Sequence, residues 1–263
     1  MKAPGGTVVL PLLITAVEAN FSGDRTTTNQ GATLTVAPNG TQHLTINNPA
    51  WKVTNAPIGA SATGVSVFSG PYPASLDLDF TTFGGWYGLN TINSVSYYTG
   101  GGQWVGGLET PVGAMPVSGS ASYAGNVNGQ YSLYSKCTCA DFGIVSGNVG
   151  MTANFGTRSV TGKMTNLLVV DGTGFNDPLN DILFSASIGS GSNKFVGTTS
   201  VSGPPRAPSG VGTPSGLVGL GLNATGTVVG GFFGPTAQEA GAIWTIDDGA
   251  ARVIGSFGAK LGN

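Results

Sequence analysis

The chain has 263 residues, 45 of them glycine, with 40% apolar and only 8% charged residues and a formal net charge of −2. A chain this apolar and this poor in charge folds rather than staying disordered. Without a Lys/Arg cluster it lacks the basic footprint of a nucleic-acid binder, and no apolar run reaches the roughly 20 residues of a membrane-spanning helix.

Thr7 to Val17 is the longest apolar run, and Pro11 interrupts it. It reads either as the core of a signal peptide, with Val17-Glu18-Ala19 a poor cleavage site, or as the first strand of the mature protein. The strand is preferred, because Ala3-Pro4-Gly5-Gly6 is not a basic leader segment. A leader removed before maturation is expected. Leu34 and Val36, then Leu44 and Ile46, flank Pro38-Asn39-Gly40. A three-residue loop pairs Val36 with Gln42, Leu34 with Leu44 and Thr35 with His43, keeping apolar residues on one face. The first half is rich in aromatics: Trp51, Tyr72, Trp86, Tyr87, Tyr97, Tyr98 and Trp104.

Glu109-Thr110-Pro111-Val112-Gly113-Ala114-Met115-Pro116 reads as a linker. Beyond it strand signals recur with a period of two. Met151, Ala153 and Phe155 alternate with polar residues, as do Val160, Gly162 and Met164. So do Leu220 to Val228, and Val253, Gly255, Phe257 and Ala259. Cys137-Thr138-Cys139 places two thiols roughly 6.6 Å apart on a regular strand, so it is either a strained local disulfide in a bent chain or two free thiols. Asp171 to Asp177 could hold a cation through oxygens, but turn chemistry explains the same residues. Ser202 to Gly216 is an exposed Pro/Gly loop. Gly234-Pro235 followed by Thr236 to Ala240 predicts one helical turn, ended by Gly241. Repeated alternation, small residues at buried positions and no long helical pattern predict an all-β chain with a closed barrel.

Gly231-Phe232-Phe233-Gly234-Pro235, then Ala237, Glu239, Gly241 and Ala242, followed by Gly255-Ser256-Phe257-Gly258-Ala259-Lys260, resembles the C-terminal barrel of transferrin-binding-protein-B-like proteins. The segments Val105 to Pro111, Met115 to Gly125 and Leu78 to Trp86 are similar to the junction of these proteins and the strand before it. The resemblance implies an N-terminal β-rich handle-like ligand domain over residues 1–110, a linker over 111–116 and an eight-stranded antiparallel β-barrel over 117–263. It implies an extracellular or outer-membrane surface location. It also implies capture of haem or a host iron- or haem-carrying protein, for delivery to a TonB-dependent outer-membrane receptor. Smaller members include secreted haemophores of the haemophilin type. The chain departs from the family in its charge poverty and lacks a lipidation cysteine near its start.

Catalytic patterns are missing. A single histidine excludes a His-x-x-x-His zinc site, and there is no Gly-x-Ser-x-Gly elbow. No enzymatic activity is expected. If haem is the cargo, His43 is the candidate iron ligand, with Trp86, Tyr87 and Trp104 as walls and Tyr97 and Tyr98 as alternative ligands or walls. In the bland alternative His43 is a solvent-facing strand residue and the aromatics are core. A second functional reading is a structural or adhesive surface subunit that self-associates into a layer or filament, favoured by the charge-poor Gly/Thr/Asn-rich composition.

Overall fold

The computed structural model describes residues 7–18, 25–28, 32–39, 42–47, 52–57, 61–62, 65–69, 77–92, 95–133, 142–171, 176–204 and 219–262. Cys137, Cys139, Trp51, Tyr72 and most of the 202–216 loop lie outside them.

The first half folds as β1 (Val8–Glu18), β2 (Arg25–Thr28), β3 (Ala32–Val36), β4 (Gln42–Asn47), β5 (Lys52–Pro57), β6 (Ser61–Ala62), β7 (Val65–Ser69), β8 (Thr81–Ile92) and β9 (Val95–Gly107). They form one sheet in the order β5-β4-β3-β1-β9-β8-β7-β6, with β2 also on β1. The apolar run around Pro11 is thus a strand, and it serves two partners. Val8 to Pro11 pair with β3, whereas Leu12 to Glu18 pair with β9. The handover falls at the one residue of the run with no N–H to donate. The β3–β4 hairpin takes the predicted register, with Val36 opposite Gln42, Thr35 opposite His43 and Leu34 opposite Leu44.

A 3-10 turn at Val112–Ala114 leads to the second half. This comprises β10 (Ser120–Leu133), β11 (Phe142–Asn154), β12 (Ser159–Asp171), β13 (Asn176–Pro178), β14 (Ile182–Ile188), β15 (Lys194–Val201), β16 (Thr225–Phe233), β17 (Glu239–Asp247) and β18 (Ala251–Leu261). The ring β11-β10-β18-β17-β16-β15-β14-β12 closes through β11–β12 pairing into an eight-stranded antiparallel barrel, with short β13 beside β12. Closure removes the free sheet edges that a charge-poor strand set would otherwise expose.

Two expectations fail. Thr236 to Ala240 is not a helical turn: Gly234 and Ala237 have φ of 86° and 61°, outside the helical region, and β17 already begins at Glu239. The alternation from Leu220 does not begin a strand there. Leu222 is exposed, Ala224 donates to the Gly221 carbonyl 3.0 Å away in a turn, and β16 starts at Thr225.

The barrel lumen is packed with side chains. Phe232 sits with its ring centroid 6.0 Å from Tyr123, 5.6 Å from Phe155 and 5.5 Å from Phe195. Phe184 stacks on Phe257 at 5.6 Å. Trp244, Tyr131, Met151 and Met164 fill the remainder. Eight strands enclose just enough room for such a core.

Candidate functional site

Alternation along β4 decides where the sequence-derived ligand set goes. Leu44 and Ile46 face inward and join Leu34, Trp86 and Trp104 in the core of the first domain. His43 therefore faces the other side of the sheet, where it is half-buried between Gln42 and Leu44. Trp86 and Trp104 are 1% and 0% exposed, so their indoles are core rather than the walls of an open cleft. Their N–H groups have no acceptor among the described residues. Tyr87 follows Trp86 on β8, faces away from it and is half-buried. The backbones of Tyr97 and Tyr98 pair with Asn90 and Leu89 on β8, next to a register shift at Gly88/Leu89. Their side chains are outside the description. The structure thus unites Trp86 with Trp104 and separates both from His43. Among the described residues no group of three or more His, Cys, Asp and Glu side chains is placed to hold a metal.

The densest polar construction lies instead where β8 and β9 cross the outside of β10, β17 and β18. Glu239 is fully buried and its carboxylate accepts three backbone N–H groups, from Asp79 (2.7 Å), Phe80 (3.0 Å) and Thr81 (2.7 Å). Lys260 donates to Asp79 at 2.9 Å, and this hydrogen bond holds its ammonium pKa above the ordinary lysine value, with the Asp79, Glu239 and Asp77 charges adding to it. Gln130 Nε2 donates to the Trp86 carbonyl at 2.7 Å and the Gly102 carbonyl at 3.2 Å. Ser256 Oγ donates to Gly84 O and Gln103 Oε1, 3.2 and 3.1 Å away.

The linker is fixed in the same way. Thr110 N donates to Phe232 O at 3.0 Å, Gly234 N to Leu108 O at 2.8 Å, and Thr110 Oγ1 to Gly234 O at 2.7 Å. Lys194 pairs with Glu109. Leu78, Phe83, Val105, Phe233 and Ile243 make the apolar part of the joint. The two domains therefore share one continuous interface, in which Thr81 Oγ1 and Gln103 Nε2 are buried without a partner among the described residues. Sequence reading quoted Glu239 as part of a motif and missed its role. The available signal was a carboxylate among the small and apolar residues Ala240 to Trp244, since a buried charge demands partners.

The family described as C-lobe and N-lobe β-barrels of Tf-binding protein B matches residues 115–261. The chain belongs to the transferrin-binding protein B barrel family. Its fold is that of several solved members. A tryptophan-to-alanine mutant of transferrin binding protein B from Haemophilus parasuis Hp5 is 19% identical at a TM-score of 0.53, covering 92% of this chain and 47% of that one. Isotype 1 transferrin binding protein B from serogroup B Neisseria meningitidis is 16% identical at 0.53, covering 96% and 44%. A phenylalanine-to-alanine mutant from Actinobacillus pleuropneumoniae H49 is 16% identical at 0.50, covering 95% and 99%. The chain spans about half the length of the first two. The comparison with curated proteins finds no match.

Proposed function

We propose that this chain is a non-enzymatic capture protein of the bacterial cell surface or its medium, which binds an iron-carrying host protein on its outer surface and passes the iron to a TonB-dependent outer-membrane receptor. The observation that supports this most is the family match over residues 115–261 on a barrel whose lumen is filled. A filled lumen leaves no internal room for cargo, so binding falls to loops and outer faces carried on a rigid block. No helix of the described residues is long and apolar enough to cross a membrane.

Haem is the narrower alternative cargo. It would meet His43 on the sheet face opposite the Trp86–Trp104 core, where a neutral imidazole is a suitable axial ligand. One experiment separates the readings. Immobilised protein is exposed to iron-loaded and iron-free transferrin, and haemin is titrated in parallel into wild type and His43→Ala. Saturable binding of transferrin, without a His43-dependent Soret shift, supports protein capture. A Soret shift lost in His43→Ala selects haem. Absence of both, with sedimentation showing large assemblies, overturns capture in favour of a self-assembling surface subunit.

A further inference from the structure

The barrel end that carries the β11–β12 and β14–β15 turns bears a groove. The linker lies along it, and the cavity has a volume of about 380 Å3, within the roughly 300–1,000 Å3 of ligand-binding clefts. Phe155 and Ile188 form its apolar floor, and Met115 forms one wall. Val112 and Val117 also line it and are 51% and 87% exposed, so the apolar lining runs out into solvent.

The single charge on this rim is Arg158. It is exposed and takes no part in the ion pairs among the described residues, which use Lys163, Lys194, Arg252 and Lys260. Its backbone is left-handed, with φ of 54°. Glycine satisfies that turn position without strain, whereas a side chain there is disfavoured. The sequence nevertheless holds a guanidinium at the mouth of an apolar groove. Lys194 and Glu109, near the same end, neutralise each other, so the groove is left net cationic.

We propose that this groove docks an extended segment of a partner protein, apolar along most of its length and bearing one acidic side chain that pairs with Arg158. Val117 lines the groove yet is 87% exposed, so it stands at the outer edge of the lining, where an extended segment crossing the groove covers it. Met and Arg are the residues enriched at such contacts: the thioether adapts to the incoming shape and the guanidinium forks onto a carboxylate. The inference is independent of which cargo the protein carries.

The test uses the whole chain and a fluorescein-labelled peptide, Val-Leu-Glu-Leu-Val, blocked at both ends so that Glu is its only carboxylate, with a Gln version as control. Anisotropy gives affinity, and a 13C-methyl methionine spectrum reports where the peptide sits through Met115. The expected result is saturable binding that shifts the Met115 methyl. The Gln peptide should bind about two- to fivefold more weakly, the range for losing an ion pair to an exposed side chain. Arg158→Gly should show the same loss with an unchanged or higher Tm, because glycine suits the turn. Val117→Ser should weaken binding several-fold without unfolding, since that side chain is in solvent. The proposal is overturned if Glu and Gln peptides bind alike, if Arg158→Gly binds like wild type, or if Met115 does not shift at millimolar peptide. It is equally overturned if sedimentation shows the face covered by a second copy of the chain.

Discussion

Replacing Glu239 tests the domain joint directly. Its buried carboxylate accepts from Asp79, Phe80 and Thr81, so Glu239→Ala strands the buried Thr81 N–H and two partly buried donors. Leaving a buried donor without its acceptor costs about 1–3 kcal/mol, and three are left here, though only one is fully buried. Glu239→Gln keeps one acceptor oxygen but turns an amide N–H toward the donors, at a cost of about 1–3 kcal/mol. Against a total stability of roughly 5–15 kcal/mol the alanine variant is severe. The assay is urea unfolding in a Trp244→Phe background. The chain has four tryptophans, and the three others, Trp51, Trp86 and Trp104, all precede the linker, so fluorescence then reports the first domain alone. Far-UV circular dichroism reports both domains. In the parent the two probes should give one transition. In Glu239→Ala the fluorescence midpoint should fall ahead of the dichroism midpoint, because the first domain loses its seat on the barrel. A loss below about 1 kcal/mol with coincident midpoints would refute the anchor.

Two further outcomes follow from the barrel interior. Burial pushes the Tyr123 phenol from 10.0 up to about 12, and its hydroxyl donates to Ala237 O at 2.7 Å. The folded state thus holds this proton more tightly than the unfolded chain. The associated stability is whole below pH 10 and fades as pH climbs toward 12; Tyr123→Phe should cost about 1–3 kcal/mol near neutrality and flatten that alkaline decline in pH-jump unfolding. At Gly255 an added Cβ would lie 2.2 Å from the Trp244 indole on the facing strand; Gly255→Ala should therefore cost about 1–3 kcal/mol by overpacking, and Trp244→Phe in the same molecule should recover part of it, as a double-mutant cycle in thermal melts would show.

The barrel was legible because its signal is local. Met151, Ala153, Phe155, Val160 and Met164 alternate with polar neighbours and are buried as that alternation requires. The register of the β3–β4 hairpin followed from the same rule. What alternation could not express is a strand covered on both sides. On β17 and β18, Ile243, Ile254, Ser256 and Gly258 point out of the barrel and are still buried, because β8 and β9 lie over them. Gly258 is small for that reason: a Cβ there would meet Leu78 and Phe83 at 2.6 Å. The same blindness produced the helical turn at Thr236. Pro, Gln and Glu favour a helix start locally, but Glu239 is committed to donors some 160 positions earlier in the chain, and that tertiary demand sets the backbone. The grouping of the candidate ligand set was not legible for a different reason. Aromatic density marks a core and a cleft equally well, and only the facing of β4 and β8 separates His43 from Trp86 and Trp104.

The scarcity of charge acquires a meaning once the charges are placed. Of the four ion pairs among the described residues, Lys194–Glu109 ties the barrel to the linker and Lys260–Asp79 ties it to the approach to β8. Glu239 adds a buried carboxylate on the same joint. Exposed pairs contribute only about 0–1 kcal/mol each, so Lys194 and Lys260 orient the domains while Glu239 and the apolar contacts of Phe83, Val105, Phe233 and Ile243 supply the energy. Half of the described ion pairs, together with the buried Glu239 carboxylate, thus act at the joint and help to set the orientation of the two domains.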